Sequence, residues 1–282
     1  MKNVIAITAL VAAAAALVAG CGGPVDGEAT VKGSDTMLNL TKNWAEAFEE
    51  KNSGAKISVN GGGSGTGIAA LMNDTADFAM ASRKIKSKEV DSLREKGFDV
   101  VEHIVAYDGL AIVVNKSNPM SEISIDMLAR AFGQNGVNNW SEIGGSDREL
   151  QVFSRDSSSG TFEYFRETVI GKNGKYRDDA TRKQLQSNSQ ILDNVINTEG
   201  GIGYVGLGYV EERKDEVKVL KVKGREQDIA YPPGDENYVL TRPLHFYTKG
   251  EPEGLVKAFI EFALSEEGQK IVKEEGFLPV PK

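Results

Sequence analysis

Three times in this chain a short apolar run enters a turn rich in glycine, serine and threonine and leaves it as a segment of helical periodicity. Thr30-Val31-Lys32 reads as a strand, Gly33-Ser34-Asp35-Thr36 as the turn, and Met37, Leu40, Trp44 and Phe48 recur at helical spacing until Asn52-Ser53-Gly54. Lys56-Ile57-Ser58-Val59 alternates like a strand and feeds Gly61 to Gly67, then the apolar run Ile68 to Met72. Leu150, Val152 and Phe153 lead into Ser154-Arg155-Asp156-Ser157-Ser158-Ser159-Gly160-Thr161 and a predicted amphipathic helix from Phe162 to Ile170. Elsewhere Asp77 to Arg83 reads as a strand ending at Ser82 and Arg83, and Lys84 to Lys96 as a charged helix. Leu110 to Val114 is apolar throughout, as a strand buried on both faces would be. Leu244 to Tyr247 reads as a strand, and Leu255, Phe259 and Phe262 mark a final helix. Alternation of this kind predicts an α/β fold with mainly parallel sheets.

In open α/β sheets ligands bind beyond the carboxyl ends of the strands, where helix N-termini point. A helix N-terminus leaves backbone N–H groups unpaired and carries about half a positive charge, so it attracts an anion. An ordinary helix cap draws on the same residue types, and the threefold recurrence is what points to a ligand. Ser34, Asp35 and Thr36, then Ser64, Gly65 and Thr66, then Arg155, Ser159, Gly160 and Thr161 are expected to converge on one small oxyanion. Hydroxyls and N–H groups would donate to it, and the arginine would donate bidentately. Five glycines between Gly61 and Gly67 are costly in backbone entropy and suggest close approach to a ligand. The run lacks the Gly-Lys-Ser/Thr ending of a P-loop, and Gly201, Gly203 and Gly206 lie in a strand-like run instead of opening a helix, which argues against a dinucleotide fold.

The net charge of −8 argues against nucleic acid and anionic membrane surfaces, so any attraction for an anion must be local. The two histidines, His103 and His245, sit in strand-like context, and no His/Cys cluster or G-x-S-x-G elbow accompanies Ser64 or Ser159. Neither a metal, a cofactor nor a catalytic residue is expected. Lys2 and the alanine-rich run Val4 to Val18 read as a secretory signal over 1–20, followed by a Gly-rich tether over 21–29. The single cysteine, Cys21, closes Val18-Ala19-Gly20-Cys21, which resembles the bacterial lipobox; the resemblance implies lipidation of Cys21.

Gly33 to Met37, Gly61 to Gly67, Ala81-Ser82-Arg83-Lys84 and Arg155 to Thr161 together resemble the phosphate-binding proteins of bacterial phosphate ABC transporters. Asp108-Gly109-Leu110-Ala111 and Gly201 to Val205 extend the likeness over nearly all of the chain beyond the signal. The resemblance implies a type 2 periplasmic binding protein: two α/β lobes, 28–108 plus 242–282 and 112–238, joined by crossovers near 107–114 and 238–247. It implies a monomer held at the membrane by lipid, in the periplasm or on the outer cell surface, that delivers inorganic phosphate to a permease. Ser64, Arg155, Ser159, Gly160 and Thr161 match the family's phosphate ligands, and Asp35 or Thr36 stands where many members have a threonine donor. Arg83 stands where many have a carboxylate that takes the ligand's proton, which leaves Asp35 as the candidate acceptor. The competing readings are a receptor for sulfate, molybdate or a phosphonate, a secreted phosphate-ester hydrolase, and an adhesion or signalling protein that binds phosphate incidentally.

Overall fold

The computed structural model describes residues 25–281; the signal, Cys21 and the start of the tether lie outside them, and Gly27 to Ala29, expected as tether, already belong to the first strand because they pair in parallel with Ala55 to Ile57. In chain order come β1 (Gly27–Gly33), α1 (Leu38–Lys51), β2 (Ala55–Asn60), α2 (Ser64–Met72), β3 (Phe78–Ala81), α3 (Ser87–Glu95) and β4 (Val100–Gly109). There follow β5 (Ala111–Asn115), β6 (Glu122–Ser124), α4 (Ile125–Phe132), β7 (Gln151–Arg155), α5 (Gly160–Phe165), β8 (Arg182–Leu185), α6 (Asn188–Ile196), β9 (Gly201–Val205), α7 (Leu207–Glu211) and β10 (Val217–Lys223). The chain closes with β11 (Thr241–Lys249), α8 (Gly254–Leu264) and α9 (Glu266–Glu274).

Two sheets result, ordered β2-β1-β3-β11-β4 and β6-β10-β5-β9-β7-β8. Within each, the strands that feed helices pair in parallel: β1 with β2 and β3, and β7 with β8 and β9. The antiparallel pairings fall where the chain changes sheets. β4 passes through Leu110 into β5, which runs antiparallel to β9 and β10, and β11 returns antiparallel to β3 and β4. Both sheets are therefore mixed. Leu110 N donates to Leu240 O at 3.0 Å and Tyr238 Oη donates to Leu110 O at 2.7 Å, binding the two crossings side by side.

Each sheet buries its own core. In the first, Trp44 of α1 meets Phe246 edge-on at 5.8 Å, Phe48 meets Phe259 at 5.6 Å, and Phe78 meets Phe246 at 5.2 Å, a geometry that aligns ring edges with π faces. In the second, Phe165 stacks on Tyr204 at 4.2 Å and packs against Phe132 at 4.7 Å. Ala111 to Val114 are wholly buried, as a strand covered on both faces requires. The expected helix from Phe162 to Ile170 differs in detail: α5 starts at Gly160, and from Arg166 to Ile170 the backbone widens into a π-helical turn. The last helical segment is two helices, because Ser265 takes an extended conformation and accepts Gly268 N as the cap of α9.

Candidate functional site

Where β1, β2 and β3 end, three serines meet. Ser34 Oγ donates to Ser82 Oγ at 2.9 Å, and Ser82 N donates to Ser64 Oγ at 3.0 Å. All three are buried. Ser64 is the first residue of α2, and Ser34 leads into a single 3-10 turn, Asp35–Met37, ahead of α1. Ser82 lies at the strand end expected for it, but its place among the hydroxyls was not foreseen.

The facing half stands on β7. Arg155 N donates to Tyr204 Oη at 3.2 Å, and Tyr204 pairs with Tyr176 Oη at 2.9 Å. Tyr176 spends its proton on Phe162 O at 2.9 Å, so Tyr204 must donate to Tyr176. Burial pushes the Tyr204 hydroxyl up to about 12, which keeps this relay protonated. Ser159 caps α5, its Oγ accepting Thr161 N and Phe162 N at 3.2 and 3.3 Å; its own proton is left to donate. The Arg155 guanidinium is 1% exposed, and only Nη2 is hydrogen-bonded, to Gln186 O at 2.6 Å. Nε and Nη1 are buried without a hydrogen-bond partner among the described residues. Burial lowers the Arg155 pKa and Asp35 works against that, but an arginine starts so far above neutrality that it stays charged.

The halves touch. Thr36 Oγ1 and Thr161 Oγ1 are 2.8 Å apart, Gly65 N donates to Ser158 O at 3.0 Å, and Ser158 Oγ donates to Gly62 O at 3.1 Å. Lys86 and Glu163 pair at 3.0 Å across the same seam. These contacts explain part of the glycine run otherwise than expected. Gly63, at φ +98°, lies so close to Ser158 that a β-carbon would fall 2.6 Å from its carbonyl oxygen, and one on Gly67 would fall 2.2 Å from Lys32 O. Both glycines admit backbone from another element, not a ligand.

Two expected residues are placed differently from the sequence reading. Among the described residues the Asp35 side chain makes no hydrogen bond to its own helix. Its Oδ2 instead accepts Asn188 N and Nδ2 at 2.9 and 2.6 Å, at the start of α6 in the second sheet's layer, and lies 3.5 Å from Arg155 Nη1. Tyr209 Oη donates to Asp35 O at 2.7 Å. Arg83 lies at the strand end, but three of its N–H groups go to Glu89, at 2.7 and 2.8 Å, and to Lys84 O. Glu89 opens α3 from its third position, so a local helix cap captures Arg83. Asn188, Tyr209 and Arg242 carried no local signal for membership of the site, and Asp108 belonged to the family likeness with no role in the site assigned to it. Each reaches it from an element distant in sequence.

Two mixed α/β lobes joined by adjacent crossovers, with donors from both converging on a buried seam, define a two-lobed solute receptor of the periplasmic-binding-protein class. Residues 21–267 match the model of the PBP superfamily domain. A phosphate-binding protein PstS of Staphylococcus haemolyticus is 30% identical over 91% of this chain and 82% of its own length. Protein SphX of Synechococcus elongatus is 34% identical over 89% and 77%. A Clostridium perfringens chain solved with bound phosphate superposes with a TM-score of 0.78 at 30% identity, covering 90% of this chain and all of that one. An ABC-type phosphate transport receptor from Vibrio cholerae gives 0.70 at 27% identity, again over 90% of this chain and 100% of that one. The chain belongs to the PBP superfamily, within the family of phosphate-binding proteins of ABC phosphate transporters.

Proposed function

We propose that this protein is an extracytoplasmic receptor that captures inorganic phosphate between its lobes and presents it to an ABC permease. The observation that carries the reading is Arg155: a buried cation with two nitrogens that lack a hydrogen-bond partner among the described residues, set against the seam where hydroxyls of both lobes meet. Leaving such donors unpaired costs about 1–3 kcal/mol each, more for charged groups, and a tetrahedral oxyanion removes that cost. Arg155 and the hydroxyls of Ser159 and Thr161 are assigned to one side of the anion, Ser64 and Thr36 to the other. Because the ligand touches both lobes, it favours the closed arrangement over an open one, and only such differential contact shifts the equilibrium.

Asp35 is assigned the discrimination. Its Oδ2 is taken by Asn188, while Oδ1 accepts no hydrogen bond among the described residues. Hydrogen phosphate has a proton to offer Oδ1 and sulfate has none, so the same carboxylate welcomes one and repels the other. The reading is of a receptor and not a hydrolase, since His103 is engaged with Thr248 and His245 lies by Glu102, and among the described residues neither is hydrogen-bonded to Ser64 or Ser159. A monomer anchored through a lipid on Cys21 completes the proposal.

Titration calorimetry with phosphate and sulfate, joined to phosphorus analysis of the denatured protein, tests it. Tight phosphate binding with weak sulfate binding is expected; heat with sulfate and none with phosphate would overturn the assignment.

A further inference from the structure

Behind the seam sits a second buried arginine that neither the sequence motifs nor the proposed ligand set includes. Arg242, on β11, is 1% exposed, and its donors are divided among partners from both lobes. Nε and Nη2 donate to Asp108 Oδ2 at 3.2 and 2.9 Å, and Asp108 ends the other crossing strand, β4. Nη1 donates to Ser82 O at 2.9 Å, beneath the serine cluster. Nη2 also donates to Thr161 Oγ1 at 2.8 Å, in the facing lobe. The Tyr164 ring covers the guanidinium at 5.2 Å, and Asp108 Oδ1 accepts Leu207 N at 2.9 Å.

We infer that Arg242 is a positioning residue for phosphate recognition: held by Asp108, it occupies an acceptor site of Thr161 so that the Thr36–Thr161 hydroxyl pair presents a proton, not a lone pair, to the anion. A threonine hydroxyl has one proton and two acceptor sites. An arginine can only donate and never loses its charge, so one acceptor site of Thr161 Oγ1 is permanently filled. The two threonines then hold two protons between them, and their mutual bond uses one. If Thr36 donates to Thr161, the Thr161 proton is free; if Thr161 donates to Thr36, the Thr36 proton is free. In the first arrangement Arg242 and Thr36 fill both acceptor sites of Thr161, so Thr161 has only its proton left to present to the anion. Without Arg242 nothing biases the pair, and Thr161 can turn its proton towards another acceptor and a lone pair towards the ligand. A planar fork is needed, because a lysine ammonium cannot span Asp108, Ser82 O and Thr161 together.

The inference rests on the phosphate reading, and a double-mutant cycle separates the two. Arg242→Met alone leaves Asp108 buried and unpaired, so the cycle uses Arg242→Met with Asp108→Asn, which keeps an acceptor for Leu207 N. Phosphate affinity is measured by calorimetry for wild type, Thr161→Val, the Arg242→Met/Asp108→Asn protein and the combined variant. Thermal melting of each confirms a folded protein. Thr161→Val is expected to weaken binding at least ~10-fold in the wild type and less than ~3-fold in the paired background. A merely structural Arg242 would give equal losses in both backgrounds, and that additivity overturns the inference. If the wild type binds no phosphate, the functional reading falls and this inference with it. If a folded paired variant binds like wild type, only the role of Arg242 falls.

Discussion

Replacing Gly160 with alanine adds one methyl group at a point where the two lobes are in contact. Its β-carbon would lie 2.3 Å from Ser64 Oγ, 2.9 Å from Ser64 Cβ and 2.9 Å from Ser82 Oγ. Neither serine can swing aside cheaply: both are fully buried, and Ser64 Oγ holds Ser82 N. Overpacking of this kind costs about 1–3 kcal/mol. Gly160 itself has no special backbone conformation and opens α5, where alanine is the better helix former. Inside its own lobe the substitution is therefore harmless; the clash is with the other lobe and exists only when the two are closed. The whole penalty falls on the closed state, and an equilibrium shift of that size weakens phosphate binding roughly 5- to 150-fold. Calorimetry reads the affinity, and thermal melting with and without phosphate separates closure from folding. The ligand-free melting temperature should move by no more than about 2 °C, while the stabilisation by phosphate shrinks. Wild-type affinity would refute the closure geometry. A fall of more than about 5 °C without ligand would show that the clash is present in every state.

Arg155→Ala removes two charge-assisted bonds to the anion, each worth about 1.5–3 kcal/mol, so calorimetric affinity should fall at least ~100-fold. Asp35→Asn keeps an acceptor for Asn188 but replaces the carboxylate, and competition titrations should show the preference for phosphate over sulfate shrinking ~10-fold or more. Arg83→Ala should leave phosphate affinity within about 3-fold, because Glu89 and Lys84 O occupy the guanidinium, and a larger loss would return Arg83 to the ligand set. His245 links stability to pH. Burial pushes its pKa down from 6.5 to about 4; Glu102, 3.1 Å away but outside hydrogen-bonding geometry, pulls it up, and Lys84 and Arg242 add to the fall. The unfolded chain takes the proton first as pH drops, so stability is whole above about 6.5 and declines towards pH 4, by about 3 kcal/mol at most. His245→Phe, which keeps the ring stacked on Tyr247, should flatten that slope in chemical denaturation.

Much of the proposed site was legible because its signals are local. Each of the three turns carries its strand, its hydroxyls and its helix start within about a dozen residues, and Ser34, Ser64, Arg155, Ser159 and Thr161 could be named from them. The roles of Asp35 and Arg83 were less legible. At a turn the same carboxylate can cap its own helix or reach across to another, and only the position of Asn188 decides between them. Arg83 was lost to a competitor six residues away, Glu89, whose direction depends on where α3 begins. The glycine run spoke clearly of close approach but not of what approaches.

Sequence by itself determined the alternation of strands and helices, the order of the three hydroxyl-rich turns and the single cationic side chain among them. Those properties follow from periodicity, backbone freedom and capping chemistry within short windows. Tertiary structure alone decided which turns face each other, and that Arg242 and Asp108, from strands 134 residues apart, share a junction beneath the seam. Hydrogen bonds of that kind depend on the closure of long loops and on two sheets coming to rest against each other. Neither leaves a mark in the residues nearby.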